Sequence, residues 1–216
     1  MGRVPFIGAL AYAVILSTIT DLESGPSAVE GMAIFFPIFA VAGSLGGLIV
    51  FTGDRVKGVY EYLIAYGISP RQLFMNVLVA CLVLVTTVLG VSLAVGLGLY
   101  FARGYSISTA QVEALGLYAV PMSYASGALA ATVGMIWTSL SSPRQGINSP
   151  IGLIPFIGIA PSLVTLVAAV VVGASYGAGY ILPVTSGGIG VVTVVVLVLM
   201  SQVPRLISVE RFLSPA

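Results

Sequence analysis

Few side chains in this sequence could do chemistry. Its 216 residues include no histidine, one cysteine (Cys81) and one lysine (Lys57). A nucleophilic serine inside a membrane needs a histidine or lysine base. A zinc centre needs histidine or cysteine clusters, and a phosphate-binding loop needs Gly-Lys-Ser/Thr. None of these patterns occurs in the sequence, so no catalytic residue, bound metal or resident cofactor is expected. Charged side chains concentrate instead in residues 54–74, DRVKGVYEYLIAYGISPRQLF, which hold three of the eight basic residues and two of the seven acids. Charges concentrated this way, without a base or a metal cluster, suit docking of a partner.

The segment has internal grammar. Val56, Val59, Tyr60, Leu63 and Ile64 recur at helical spacing and form one apolar stripe. Asp54, Arg55, Lys57, Gly58 and Glu61 fall on other faces, with Lys57 and Glu61 placed for a weak pair four residues apart. Gly67 suits a helix stop. Ser69-Pro70-Arg71-Gln72 then reads as a new start, with a capping serine, proline at the first helical position and glutamine completing a capping box. The pattern predicts an amphipathic helix over 54–66, about 20 Å long, then a tight turn into the next helix. Such a helix could rest on anionic lipid, which favours a strongly basic polar face. This face is mixed, which favours a protein partner.

The elements around this segment belong in lipid. Charged residues are 7% and hydrophobic residues 58%, with a mean hydropathy of +1.13, against roughly 25% charge in soluble domains. Only helices or closed barrels span a bilayer, and the continuous apolar runs lack barrel alternation. The fold class expected is therefore an all-α integral membrane protein, one polytopic domain over 1–216. Six spans are predicted at 4–20, 32–52, 73–102, 114–140, 151–173 and 183–203. About 20 apolar residues cross a bilayer, so the first run is near the lower limit and the third is long enough to tilt. The first run could alternatively be a cleaved signal peptide, although it continues past its small residues without a clear cleavage site. With six spans, Arg3, Arg55, Lys57, Arg71, Arg144, Arg205 and Arg211 share one side and only Arg103 falls opposite. The positive-inside bias makes that side cytoplasmic, with both termini there, in a cell membrane.

No Asp, Glu, Lys, Arg or His falls inside any predicted span, which argues against a proton-relay transporter. Gly43/Gly47 and Gly173/Gly177 fit small-xxx-small spacing, which serves internal helix packing or a subunit interface. Pro37, Pro121, Pro155 and Pro161 should kink or loosen their helices. Met32, Phe35, Phe36 and Phe39 share a helical face, either as a greasy substrate path or as packing. Residues 175–188, SYGAGYILPVTSGG, read as a re-entrant gate or a turn.

The loop resembles the cytoplasmic loop of ABC type-2 transporter permeases, the membrane subunits of many exporters. Their pattern of an acid-Arg pair, Gly, Glu, Leu, then Ile-Ser and a basic residue is matched by Asp54, Arg55, Gly58, Glu61, Leu63, Ile68, Ser69 and Arg71. The loop match covers some 20 residues. The six-span plan and the closing SVERFL at 208–213 are also similar to that family. The resemblance implies that 54–66 is a coupling helix seated in a separate ATPase subunit, which binds ATP and Mg. It implies that the second cytoplasmic loop, 141–150 with Arg144 and Gln145, is a lesser contact. It implies a second permease copy as partner, in a homodimer or heterodimer. The chain departs from the family in its short lead before residue 4, where an amphipathic helix is usual, and in lacking a large outer domain. Membrane lipid is an expected partner and nucleic acid is not. Uncharged spans suit a hydrophobic or amphipathic substrate. A channel or secondary carrier working without an ATPase, and a structural subunit of a larger membrane complex, remain the alternative readings.

Overall fold

The structure is a computed structural model that describes residues 28–140, 154–177 and 181–206. All of its regular elements are helical, with no strand among the described residues. The helices are α1 (Ala28–Val56), α2 (Val59–Ala65), α3 (Pro70–Ala102), α4 (Thr109–Glu113), α5 (Val120–Leu140), α6 (Ile154–Tyr176) and α7 (Ile181–Leu206). A π-helical stretch, Ala114–Ala119, joins α4 to α5 without a break.

Five segments are long and apolar enough to cross a membrane: Ile34–Arg55, Pro70–Ala102, Thr109–Thr138, Ile154–Tyr176 and Pro183–Gln202. They correspond to the second to sixth predicted spans, and they make this a multi-pass membrane protein. The predicted span at 4–20, the loop carrying Arg144 and Gln145, and the motif at 208–213 lie outside the described residues.

Burial is arranged as lipid demands. Large apolar side chains face outward along α6 and α7, among them Phe156, Val164, Val167, Val191 and Leu197. Small and hydroxyl side chains face inward, including Ser44, Ser92, Ser123, Ala130 and Thr132. Small interior residues let helix backbones approach closely, which replaces the missing hydrophobic drive between helices in lipid. Helices α1, α3 and α5 pack against one another, and α6 and α7 pack on α5, with α6 also touching α1.

The approach is closest along α1 and α3. A Cβ on Gly43 would lie 3.3 Å from the Val85 backbone, and one on Gly47 would run into Cys81. Gly43 and Gly47 thus serve internal packing. Ser44 Oγ donates to the Gly127 carbonyl at 2.8 Å and ties α1 to α5. Thr86 Oγ1 and Tyr124 OH, 2.8 Å apart, tie α3 to α5. The second glycine pair behaves differently. Gly173 packs against Ile181, whereas Gly177 has φ +101° just past the end of α6 and stops the helix.

The prolines divide by position. Pro37 and Pro161 lie inside α1 and α6. Pro155 is in the first turn of α6, where its missing N–H costs nothing. Pro121 comes two residues after the end of the π stretch. An α-helical turn would drive its ring into the Leu117 carbonyl four residues back. The backbone widens instead, and the Val120 N–H donates five residues back to Leu115.

Of residues 175–188, Ser175 and Tyr176 end α6, Gly177 follows it, and 181–188 form the start of α7. The residues between, on which the reading of a gate or a turn depends, lie outside the described ones.

Candidate functional site

The charged segment forms a ledge between α1 and α3. Its backbone differs from the expected single helix over 54–66. Asp54 and Arg55 belong to the last turn of α1, and the chain then breaks at Gly58, which adopts φ +71°. That left-handed conformation costs an L-residue about 1 kcal/mol or more and glycine almost nothing. The Gly58 N–H donates to the Arg55 carbonyl at 3.0 Å, closing α1, and the Gly58 carbonyl accepts from Glu61 N–H at 3.1 Å, opening α2. One glycine therefore ends one helix and starts the next. Lys57 and Glu61 fall on opposite sides of this break and are not successive turns of one helix. The Glu61 carboxylate lies over Gly58 instead, its Oε2 3.5 Å from where a Cβ would stand.

The apolar stripe is present in part. Tyr60 is buried, and its ring sits 5.1 Å from that of Phe51 in α1. Leu63, Ile64 and Ile68 pack on the same cluster as Phe51, Tyr60, Leu73, Phe74 and Met135. Val59 is exposed at the margin. Burial pushes the Tyr60 hydroxyl well above the usual phenol range, and the nearby Asp54 charge adds to the shift.

The exit from the ledge matches its predicted grammar. Gly67 takes φ +87°. Its N–H donates to the Ile64 carbonyl at 2.9 Å, and the Ile68 N–H donates to Leu63 at 3.1 Å, which makes a Schellman turn. Ser69 then caps α3. Gln72 N–H donates to Ser69 Oγ at 3.2 Å, Ser69 N–H donates to Gln72 Oε1 at 3.0 Å, and Pro70 occupies the first turn.

The other end of α3 repeats this punctuation. Gly104 has φ +79°, its N–H donates to Phe101 at 2.9 Å, and Tyr105 N–H donates to Tyr100. Ser108 and Gln111 form a second capping box with bonds of 3.0 and 3.3 Å. Sequence reading passed over this pair, although the signal was available as Ser-x-x-Gln at 108–111.

The ledge brings together the residues read as a docking element but divides their roles. Leu63 and Ile68 face the bundle, and Asp54 and Arg55 are half-buried. Lys57, Glu61 and Arg71 are exposed, as are Tyr62 and Tyr66, which were not singled out. The face read as a substrate path lies elsewhere. Phe36 and Phe39 are fully buried in a cluster with Val85, Val88 and Tyr100, their ring centroids 6.2 Å apart. Phe35 is half-buried beside them, and Met32 lies on α1.

No family model, no curated protein and no solved structure matches this chain. Among the described residues no group of His, Cys, Asp or Glu is placed to hold a metal ion.

Proposed function

We propose that this chain is the membrane-spanning permease subunit of an ATP-driven exporter in a cell membrane, with the ledge on the cytoplasmic side. ATP hydrolysis occurs in a separate ATPase subunit that binds ATP and Mg, and two permease copies complete the transporter. The observation that carries this reading is the ledge itself. A short helix is fixed at both ends by glycine turns and rooted on the bundle through Tyr60, Leu63 and Ile64, with Glu61 on it and Lys57 and Arg71 flanking it all exposed. A rooted element of this kind passes a push on its outer face to α1 through Gly58 and to α3 through the Ser69 cap. The resemblance of the segment to type-2 permease loops and the absence of Gly-Lys-Ser/Thr from the sequence support the same reading. A hydrophobic or amphipathic substrate fits predicted spans that hold no Asp, Glu, Lys, Arg or His.

The test is reconstitution with the ATPase that co-purifies with the wild-type chain. Glu61→Arg should leave the fold intact and cut substrate-stimulated ATP hydrolysis and transport together, by tenfold or more. Unchanged transport in that variant, or full flux in liposomes without any ATPase, would reject the reading. The second outcome favours a channel or secondary carrier. A chain that binds membrane partners while no solute movement depends on it would be a structural subunit.

A further inference from the structure

We propose that Tyr62 and Tyr66 are the affinity anchors of the ledge, seated in an apolar recess of the ATPase subunit whose rim carries carboxylates for Lys57 and Arg71. This rests on the reading of the ledge as an ATPase docking element. Tyr62 lies in α2 and Tyr66 caps its C-terminus, its N–H donating to the Tyr62 carbonyl at 3.0 Å, so the two are one turn apart on one face. That face is opposite Tyr60, Leu63 and Ile64, which are turned into the bundle. Tyr62 is 69% exposed and Tyr66 86% exposed, the largest exposure of any hydrophobic side chain among the described residues.

The structure reverses the weights that residue types suggest. Leu63 and Ile68 are occupied inside the bundle, and Asp54 and Arg55 are half-buried. What remains for a partner is Val59, Tyr62 and Tyr66, with Lys57, Glu61 and Arg71 around them. Binding energy at interfaces concentrates in buried aromatic anchors. Tyrosine supplies large contact area for two side-chain torsions, so little entropy is lost on ordering it. Exposed rim charges act mainly on association rate and orientation. Gly58 and the Gly67 turn fix both ends of α2, so the pair is presented preformed, and the ordering cost of binding is reduced. The exposed charges are two basic and one acidic, and carboxylates on the partner's rim complement their excess. The acid disfavours an anionic lipid surface, which selects for basic faces.

Two measurements test the proposal. First, benzoylphenylalanine placed at 62 or 66 in the full-length chain is irradiated in cells. The expected adduct is a polypeptide that hydrolyses ATP and carries Gly-Lys-Ser/Thr. Adducts only to lipid, or only to a second copy of this chain, overturn the proposal. Second, affinity for the ATPase that co-purifies with the wild type is measured in detergent. Tyr62→Ala with Tyr66→Ala should lower it at least about 30-fold. Tyr62→Phe with Tyr66→Phe should keep it within about threefold, since the rings carry the contact. Lys57→Ala with Arg71→Ala should cost less than about fivefold and flatten the salt dependence. Alanine variants that bind within threefold of wild type, with unchanged thermal unfolding, overturn the anchors and leave the exporter reading intact. If no ATPase co-purifies with the wild type, the reading beneath fails and the anchors fail with it.

Discussion

The rings of Phe51 and Tyr60 meet 5.1 Å apart, tilted by 46°, across the break at Gly58. This contact roots α2 on α1. Phe51 lies four residues before the end of the membrane-length run of α1, and Tyr60 is the buried residue of α2. Backbone turns set where the ledge begins and ends, and this aromatic pair sets how firmly it is held.

Tyr60→Ala should therefore destabilise the protein by about 3 kcal/mol, the usual cost of emptying an aromatic site in a packed core. Tyr62→Ala, two residues on and exposed, should change stability by less than about 0.5 kcal/mol. Unfolding by SDS titration from detergent micelles measures both. Equal costs would mean that the two tyrosines are not on opposite faces.

The same residue gives a pH dependence. A phenol whose folded pKa is raised keeps its proton after the unfolded chain, titrating near 10, has lost its own. Its contribution to stability is full below pH 10 and declines as pH rises further. Wild type should lose stability faster than Tyr60→Phe between pH 9 and 11, measured as the unfolding midpoint. Parallel curves would rule out the buried phenol as the cause.

Two glycines three residues apart on α1 should respond in opposite ways to alanine. At Gly43 the added methyl meets the Val85 backbone at 3.3 Å, which cannot rotate away. Gly43→Ala should cost about 1–3 kcal/mol through overpacking. At Gly46 nothing lies within 4 Å. Gly46→Ala should be neutral or stabilise by up to about 1 kcal/mol through helix propensity. Thermal unfolding of the two variants in one detergent decides the matter.

Ser69→Ala removes the acceptor for Gln72 N–H and should cost about 1 kcal/mol, with faster amide exchange confined to the first turn of α3. Ser69→Asp should retain most of the stability. Protection that stays unchanged in Ser69→Ala would show that the cap is redundant with Pro70.

The membrane class, five of the spans and the exit from the ledge were legible in the chain. Ser69, Pro70, Gln72 and Gly67 are local signals, each settled by bonds within a few residues. The break at Gly58 was not legible. The apolar stripe from Val56 to Ile64 continues across it, and a glycine within a helical period reads as a cost rather than a stop. The π stretch was half-legible, since Pro121 foretold a disturbance without its form. The fates of Phe36 and Phe39 depended on which helices faced them, and helical spacing alone treats a core face and a substrate face alike. Tyr62 and Tyr66 were passed over because reading by charge drew attention to Lys57 and Glu61.

Helix α3 has 33 residues and so measures roughly 50 Å, against a hydrocarbon core of about 30 Å. A tilt large enough to submerge it would exceed 50°, beyond the range of about 0–40° seen for membrane helices. Some of the rod must stand clear of the hydrocarbon, and both of its ends carry the same turn and cap. It is a rod held near its middle, where Val85 backs onto Gly43 and Thr86 meets Tyr124. A tilt of about 10° about Thr86 would move each end of the rod by roughly 4 Å. Geometry alone would then carry a shift at the ledge end of α3 to its Tyr100 end without bending the helix.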